Sequence, residues 1–279
     1  MRIKQLISYT NKILLLIFFI NVLLLTNTYG INPQRKYLAK PDAVGLEYQT
    51  YKIKVNDSTL LNSWACLQKD IRKPFIIISG SDAGNMTYSL AQAKSFYESG
   101  YNVILYDYRG FGESSDFKIN HDMLYYNEFA VDLKSTINFV KKQFKPNSIV
   151  LYGLSMGTII SRMNLDDDKV IKGLVLDSFV INPKLLVERY NFSQKKEILL
   201  PNNAANYFQS NTINLNKPVL IFSGLKDDFT KTEDYKDFLL KNPNSKMVTS
   251  DCKHLQCFVT MGTDPNMYMV AFNTFVNQL

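Results

Sequence analysis

The chain has 279 residues, of which 46% are hydrophobic and 20% charged, with 12 Gly and 9 Pro. That balance excludes a collagen-like, mostly disordered or multi-span membrane protein and gives enough length for one large domain with a full core. The formal net charge is +7, yet the cations are scattered, with nothing longer than pairs such as Lys141-Lys142 and Lys195-Lys196. No basic stripe suited to nucleic acid forms, and only weak attraction to an anionic membrane surface follows.

Residues 1–12 are polar and basic, with Arg2, Lys4 and Lys12 and no acid. Ile13 to Leu25 is apolar except for Asn21, and small and polar residues follow from Thr26 to Gly30. A basic start, a short apolar run and small residues beyond it form the pattern of a secretory signal peptide. Thr28 and Gly30 suit the −3 and −1 positions of a cut before Ile31. The apolar run is shorter than the roughly 20 residues a spanning helix needs. Residues 1–30 are therefore expected to direct export and to be removed, the alternative being an N-terminal membrane anchor. In an oxidising compartment Cys252 and Cys257 would pair and leave Cys66 free; three buried thiols are the equal alternative.

One domain follows, with no internal repeat or linker. Leu46–Val55 and Leu60–Leu67 suggest a hairpin turning at Asn56-Asp57-Ser58. Strands are expected at Phe75–Ser79, Val103–Tyr106, Ser148–Tyr152, Ile171–Leu176, Val219–Phe222 and Lys246–Thr249. Helices are expected between them at Ser89–Glu98, Phe129–Gln143, Ser155–Arg162 and Asp234–Leu240, and last at Met267–Val276. This alternation predicts an α/β fold, a mostly parallel twisted sheet covered by helices on both faces, with catalytic loops at the carboxyl ends of the strands. Ser178–Lys217 breaks the rhythm. It holds two expected short helices, Pro183–Tyr190 and Asn203–Gln209, and reads as a lid or substrate-binding insertion.

Gly153-Leu154-Ser155-Met156-Gly157 fits G-x-S-x-G between a strand and a helix. That context puts Ser155 on a sharp turn, exposed, with glycines where a side chain would clash. The Met156 N–H faces the same point and suits an oxyanion. A serine needs a base, and the chain has two histidines. His254 follows the last strand, where it can swing over Ser155; His121, in a polar loop, reads as a surface residue. The base needs a carboxylate, and Asp227 is chosen from the loop after the VLIF strand, with Asp228 the competitor and Asp177 a distant third. The order Ser155, Asp227, His254 excludes the chymotrypsin and subtilisin arrangements. A second oxyanion N–H is expected from Ser81 or Asp82 in the loop Ser79-Gly80-Ser81-Asp82-Ala83-Gly84-Asn85; losing one such donor typically costs about 3 kcal/mol. Asp107 and Arg109, in Asp107-Tyr108-Arg109-Gly110-Phe111-Gly112, are expected to tie down a turn.

ISGSDAGN, DYRGFGESS, GLSMG and the late SGLKDD and CKH, in that order from about Phe75 to the C-terminus, resemble the α/β-hydrolase superfamily. The resemblance extends to the branch of α/β-hydrolase-domain serine hydrolases and depalmitoylase-like proteins. It implies the α/β-hydrolase fold with about eight strands, no cofactor, and cleavage of esters and thioesters. It carries over Ser155 as nucleophile, Asp227 as acid, His254 as base, and Ser81 and Met156 as oxyanion donors. The chain departs from that branch at Ser79-Gly80, where the family usually has His-Gly, and its oxyanion loop is one residue longer. An acidic Asp82 facing an oxyanion would be unfavourable, so its side chain is expected to turn away.

The expected activity is that of an exported serine hydrolase, residues 31–279, acting on a small-molecule or lipid-like acyl substrate through an acyl-enzyme. Acyl transfer from the same triad, and a non-catalytic binding protein on the hydrolase fold, are the alternatives.

Overall fold

The computed structural model describes residues 30–165, 168–204, 215–263 and 265–279. The expected signal peptide, but for Gly30, and most of the helix expected over Asn203–Gln209 lie outside them.

Eight strands form one sheet: β1 (Gln49–Lys54), β2 (Leu60–Cys66), β3 (Phe75–Ser79), β4 (Asn102–Tyr106), β5 (Ile149–Leu154), β6 (Ile171–Asp177), β7 (Val219–Gly224) and β8 (Ser245–Ser250). Their spatial order is β8-β7-β6-β5-β3-β4-β2-β1. β2 runs antiparallel to both neighbours, and every other pairing is parallel. Among the described residues the helices are α1 (Leu90–Glu98), α2 (Tyr126–Phe144), α3 (Met156–Met163), α4 (Pro183–Gln194), α5 (Lys236–Lys241), α6 (Cys257–Met261) and α7 (Met267–Val276). This is the α/β-hydrolase fold, with the mostly parallel sheet and helix-covered faces that the sequence predicts.

The central strands are apolar on both sides because both faces are covered. On β3, Ile76 and Ile78 join Phe96 of α1 and Phe272 of α7, while Phe75 and Ile77 join Phe129 and Leu133 of α2. Such a run carries no alternation, which is why its length marks it as strand.

The strands near the site run further than the sequence suggests. Parallel pairing continues through Gly153↔Leu176, Leu154↔Asp177 and Ser250↔Gly224, so polar and glycine positions that read as loop are still in the sheet. α2 begins at Tyr126 because Tyr126 is itself buried in the core. The helix expected over Asp234–Leu240 is a 3-10 turn, Thr232–Tyr235, followed by α5. α4 runs to Gln194; Asn182 starts it by accepting from the Lys184 and Leu185 N–H groups, with Pro183 in the first turn. α6 is too short to show a helical period and escapes a sequence reading.

The chain also packs before β1. Ile31 is fully buried. Asn32 and Pro33 pair in parallel with Ala83 and Gly84. Asn32 N–H donates to the Asp82 carbonyl at 2.8 Å and Gln34 N–H to Gly84 at 2.8 Å. This strap therefore lies against the loop after β3. His121 fastens its start: its carbonyl accepts the Ile31 N–H at 2.9 Å, and its Nδ1 lies 2.8 Å from the Ile31 carbonyl.

The turn after β4 is tied down as expected. Asp107 accepts from the Met86 N–H at 2.7 Å and from the Tyr37 hydroxyl. Asp132 of α2, with no exposed side-chain surface, accepts from the Arg109 backbone N–H at 2.9 Å and from its guanidinium at 2.9 and 2.6 Å. Truncating one partner of a buried pair leaves the other charge uncompensated. Asp132→Ala should cost about 3 kcal/mol of stability, read from chemical denaturation; a loss under about 0.5 kcal/mol, the range of ordinary surface changes, would contradict this account.

Candidate active site

Ser155 sits between β5 and α3 with φ 48° and ψ −111°. A non-glycine residue there is strained by about 1–3 kcal/mol and persists only where its surroundings fix it. Here they do. Ser155 N–H donates to the Asp177 carbonyl at 3.0 Å, and its own carbonyl accepts from the Thr158 N–H at 2.9 Å and the Thr158 hydroxyl at 2.6 Å. A Cβ on Gly157 would stand 2.1 Å from the Ser79 carbonyl oxygen, and one on Gly153 would stand 2.5 Å from the Gly157 carbonyl oxygen. Both glycines are thus needed for α3 to press against β3 and β5.

His254 follows β8. Its Nε2 lies 2.9 Å from Ser155 Oγ, and its Nδ1 lies 2.8 Å from Asp227 Oδ2. Asp227 is held from all sides: Oδ1 accepts from the Phe229 and Thr230 N–H groups at 2.9 Å each, and Oδ2 accepts from the Thr230 hydroxyl at 2.5 Å. The structure brings together Ser155, His254 and Asp227. Asp228 points to solvent and takes no part. Asp177 is fully buried; it accepts from the Tyr268 hydroxyl at 2.8 Å and the Ser178 hydroxyl at 3.3 Å rather than from His254. Ser178 Oγ in turn accepts the Leu255 N–H at 2.9 Å, so this branch braces the loop that presents His254.

Ser81 and Met156 border the same small pocket as Ser155, a space of about 80 Å³. Among the described residues, no hydrogen bond takes up the N–H of either. Two N–H groups free beside a nucleophile can hold a developing oxyanion. Asp82 departs from expectation. Its side chain does not turn away: it lines this pocket with Ser155 and His254. The strap holds the Asp82 carbonyl through Asn32, which fixes the backbone of the extra residue and leaves the carboxylate on the pocket side. Burial pushes Asp82 up to about 6, against the pull of His254 and of its own backbone N–H.

Burial disfavours the His254 imidazolium, but Asp227 through charge and hydrogen bond, and then Asp82 and Asp177 through charge, outweigh it, so His254 titrates above the usual 6.5. For Asp227 burial works upward, and His254 and Thr230 bring it below the usual carboxylate value.

Sequence reading misses Thr230, which holds Asp227, Phe229, whose ring meets the His254 imidazole edge-on at 5.6 Å, and the strap residues Gly30 and Asn32 that border the pocket. Thr230, three residues after Asp227, is the one with a local signal, the spacing at which an aspartate caps the next turn. Cys252 and Cys257 flank His254 as buried thiols with sulfurs 2.8 Å apart, and Cys66 is buried on β2.

Reaction of Ser155 with a fluorophosphonate needs neutral His254, so its rate should rise with pH through the raised His254 value. Asp82→Asn removes an anion that favours the imidazolium, and the midpoint should move to lower pH. An unchanged midpoint would remove Asp82 from the electrostatics of the base.

The family described as serine aminopeptidase, S33, matches residues 69–202. The uncharacterized protein YfhR of Salmonella typhimurium is 24% identical over 261 residues, covering 82% of each chain. The uncharacterized membrane protein YNL320W of Saccharomyces cerevisiae is 27% identical over 124 residues, 44% of this chain and 42% of its own. Among solved structures, the Pyrococcus furiosus esterase Pf2001 superposes with TM-score 0.70 at 22% identity, over 88% of this chain and 99% of that one. Mouse α/β hydrolase domain-containing protein 10 gives 0.61 at 12%, over 82% and 99%, and a thermophilic esterase from Thermogutta terrifontis gives 0.60 at 18%, over 82% and 98%. Strand order, elbow and these likenesses agree on the α/β-hydrolase fold.

Proposed function

We propose that this chain is a serine hydrolase that cleaves carboxylic esters or thioesters through an acyl-enzyme. The observation that carries this reading is the continuous hydrogen-bonded line from Ser155 Oγ through His254 to Asp227, presented by three different strand ends. Ser155 Oγ attacks the acyl carbonyl and gives its proton to His254 Nε2. Asp227, held by Thr230, fixes the ring and stabilises the imidazolium. The Met156 and Ser81 N–H groups hold the oxyanion. Collapse breaks the C–O or C–S bond, and the leaving group takes the proton from Nε2. Water, deprotonated by the same nitrogen, then attacks the acyl-enzyme and frees Ser155 and the acid. Residues Leu186, Val187, Tyr190 and Ile198 of the 178–217 segment border the pocket, which supports its role in substrate binding.

A fluorophosphonate probe on the purified full chain tests this. Labelling of wild type is expected, with a fall of roughly a thousandfold or more in Ser155→Ala and His254→Ala. No labelling of folded wild type, or equal labelling of Ser155→Ala, would overturn it. The serine-aminopeptidase match favours a second reading, cleavage of an amide next to a free amino terminus. Turnover of an aminoacyl anilide above that of a phenyl ester of the same size would put that reading first.

Export with cleavage before Ile31 belongs to the same proposal. No helix among the described residues is long and apolar enough to cross a membrane. Gly30 is buried, a Cβ there would stand 3.0 Å from Ile198 and 3.2 Å from the His121 carbonyl oxygen, and Ile31 is fully buried, so cleavage between them must precede docking of the strap. Mass spectrometry of the protein from its native host should find an N-terminus at Ile31. A chain still carrying residues 1–30 would instead place it as N-terminally anchored.

A further inference from the structure

The pocket at Ser155 is small, but a much larger cavity of about 720 Å³ lies on the other side of the oxyanion loop, between α1 and α6. The two spaces share Ser81, Ala83 and Leu255 as common walls. Leu154, immediately before Ser155, and Leu255, immediately after His254, both face the larger cavity. It therefore adjoins the reacting atoms rather than lying elsewhere on the surface. Gly80 also borders it, and a Cβ at Gly80 would meet no atom within 4 Å, so the loop carries no side chain that would fill the space there.

The walls are mainly apolar, from Met86, Tyr88, Ala91, Leu105, Phe258 and Val259. Their charged neighbours are already engaged: Lys94 with Glu98 at 2.5 Å, and Asp107 with Tyr37 and the Met86 N–H. The buried Gln92 Oε1 has no hydrogen-bond partner among the described residues. Beside the cavity the surface stays apolar, with Val259 41% and Met267 51% exposed. A volume of this size lies within the range of ligand sites, and apolar walls with few polar points are their usual lining. No residue of the 178–217 segment borders it among the described residues.

Resting on the hydrolase reading above, we propose that this cavity takes the acyl chain of the substrate. A medium or long fatty acyl group attached to Ser155 passes Leu255 and lies between α1 and α6. The leaving group occupies the small pocket bordered by the strap and α4. The substrate class is then fatty acyl esters or thioesters, and the chain-length choice is made by α1 and α6.

The test measures kcat/KM for p-nitrophenyl acetate, butyrate and octanoate with the full chain and with Ala91→Trp, which fills the cavity from α1. It also measures binding of palmitate by calorimetry to Ser155→Ala and to Ser155→Ala/Ala91→Trp. Thermal unfolding first establishes that the variants fold; if Ala91→Trp does not, Val259→Trp on the exposed rim replaces it. In wild type, kcat/KM should rise about fourfold per added methylene, the factor that corresponds to burying one CH₂. The octanoate-to-acetate ratio should fall at least tenfold in the cavity variant, and palmitate binding should weaken at least tenfold. A flat chain-length profile, a ratio unchanged by the filled cavity, or no saturable palmitate binding to Ser155→Ala would overturn the proposal even where acetate is hydrolysed. Palmitate binding that depends on the cavity, with no ester turnover and no fluorophosphonate labelling, would instead overturn the hydrolase reading and with it the role of the cavity in turnover.

Discussion

The approach of α3 to β3 is the contact on which the site depends. With Gly157 pressed against the Ser79 carbonyl, the chain has no room to leave β5 by a wide loop. It must reverse within one residue, and Ser155 takes the left-handed conformation that the reversal requires. The strain is local, whereas the restraint is spread over three strands and a helix. The same contact puts the Met156 N–H at the start of α3, where helix geometry leaves it without an internal acceptor. The strained turn at Ser155 and the position of the Met156 N–H thus follow from one packing constraint.

Around that turn the electrostatics are uneven. One imidazole senses three carboxylates, each held differently. Asp227 is saturated with donors and bonds the ring. Asp177 is buried and committed to Tyr268 and Ser178. Asp82 lines the pocket itself. A sheet that delivers its strand ends to one edge gathers such loop acids together, and hydrogen bonding distinguishes their work. The donors around Asp227 keep it ionised, while burial draws Asp177 up to about 6.

The central architecture was legible in the sequence because its signals are local. FIIIS and VLIF are short apolar runs, and GLSMG follows one of them directly. Ser155 and His254 could be named because a nucleophile and a base must follow strand ends. What was not legible depends on distant packing. Asp82 looked like a side chain to turn outward, and only the pairing of Ala83 and Gly84 with Asn32 and Pro33 keeps it facing in. That pairing joins residues some fifty positions apart with no hydrophobic period to announce it. Asp227 and Asp228 differ by one position, and the turn that buries the first and exposes the second closes only when Thr230 caps it.

The strap gives the amino-terminal side of the chain a meaning that the sheet alone does not. All eight strands, Ser155, Asp227 and His254 lie beyond residue 46, so a chain shortened to that point would keep every element by which the fold is defined. It would lose the partner of Ala83 and Gly84, the donor to the Asp82 carbonyl, and Asn32, which walls the pocket. The boundary of the fold and the boundary of the site are therefore different places in the sequence, the sheet beginning at Gln49 and the wall of the site at Asn32. A chain trimmed to the sheet would keep the fold and still lack the wall that borders the pocket at Ser155.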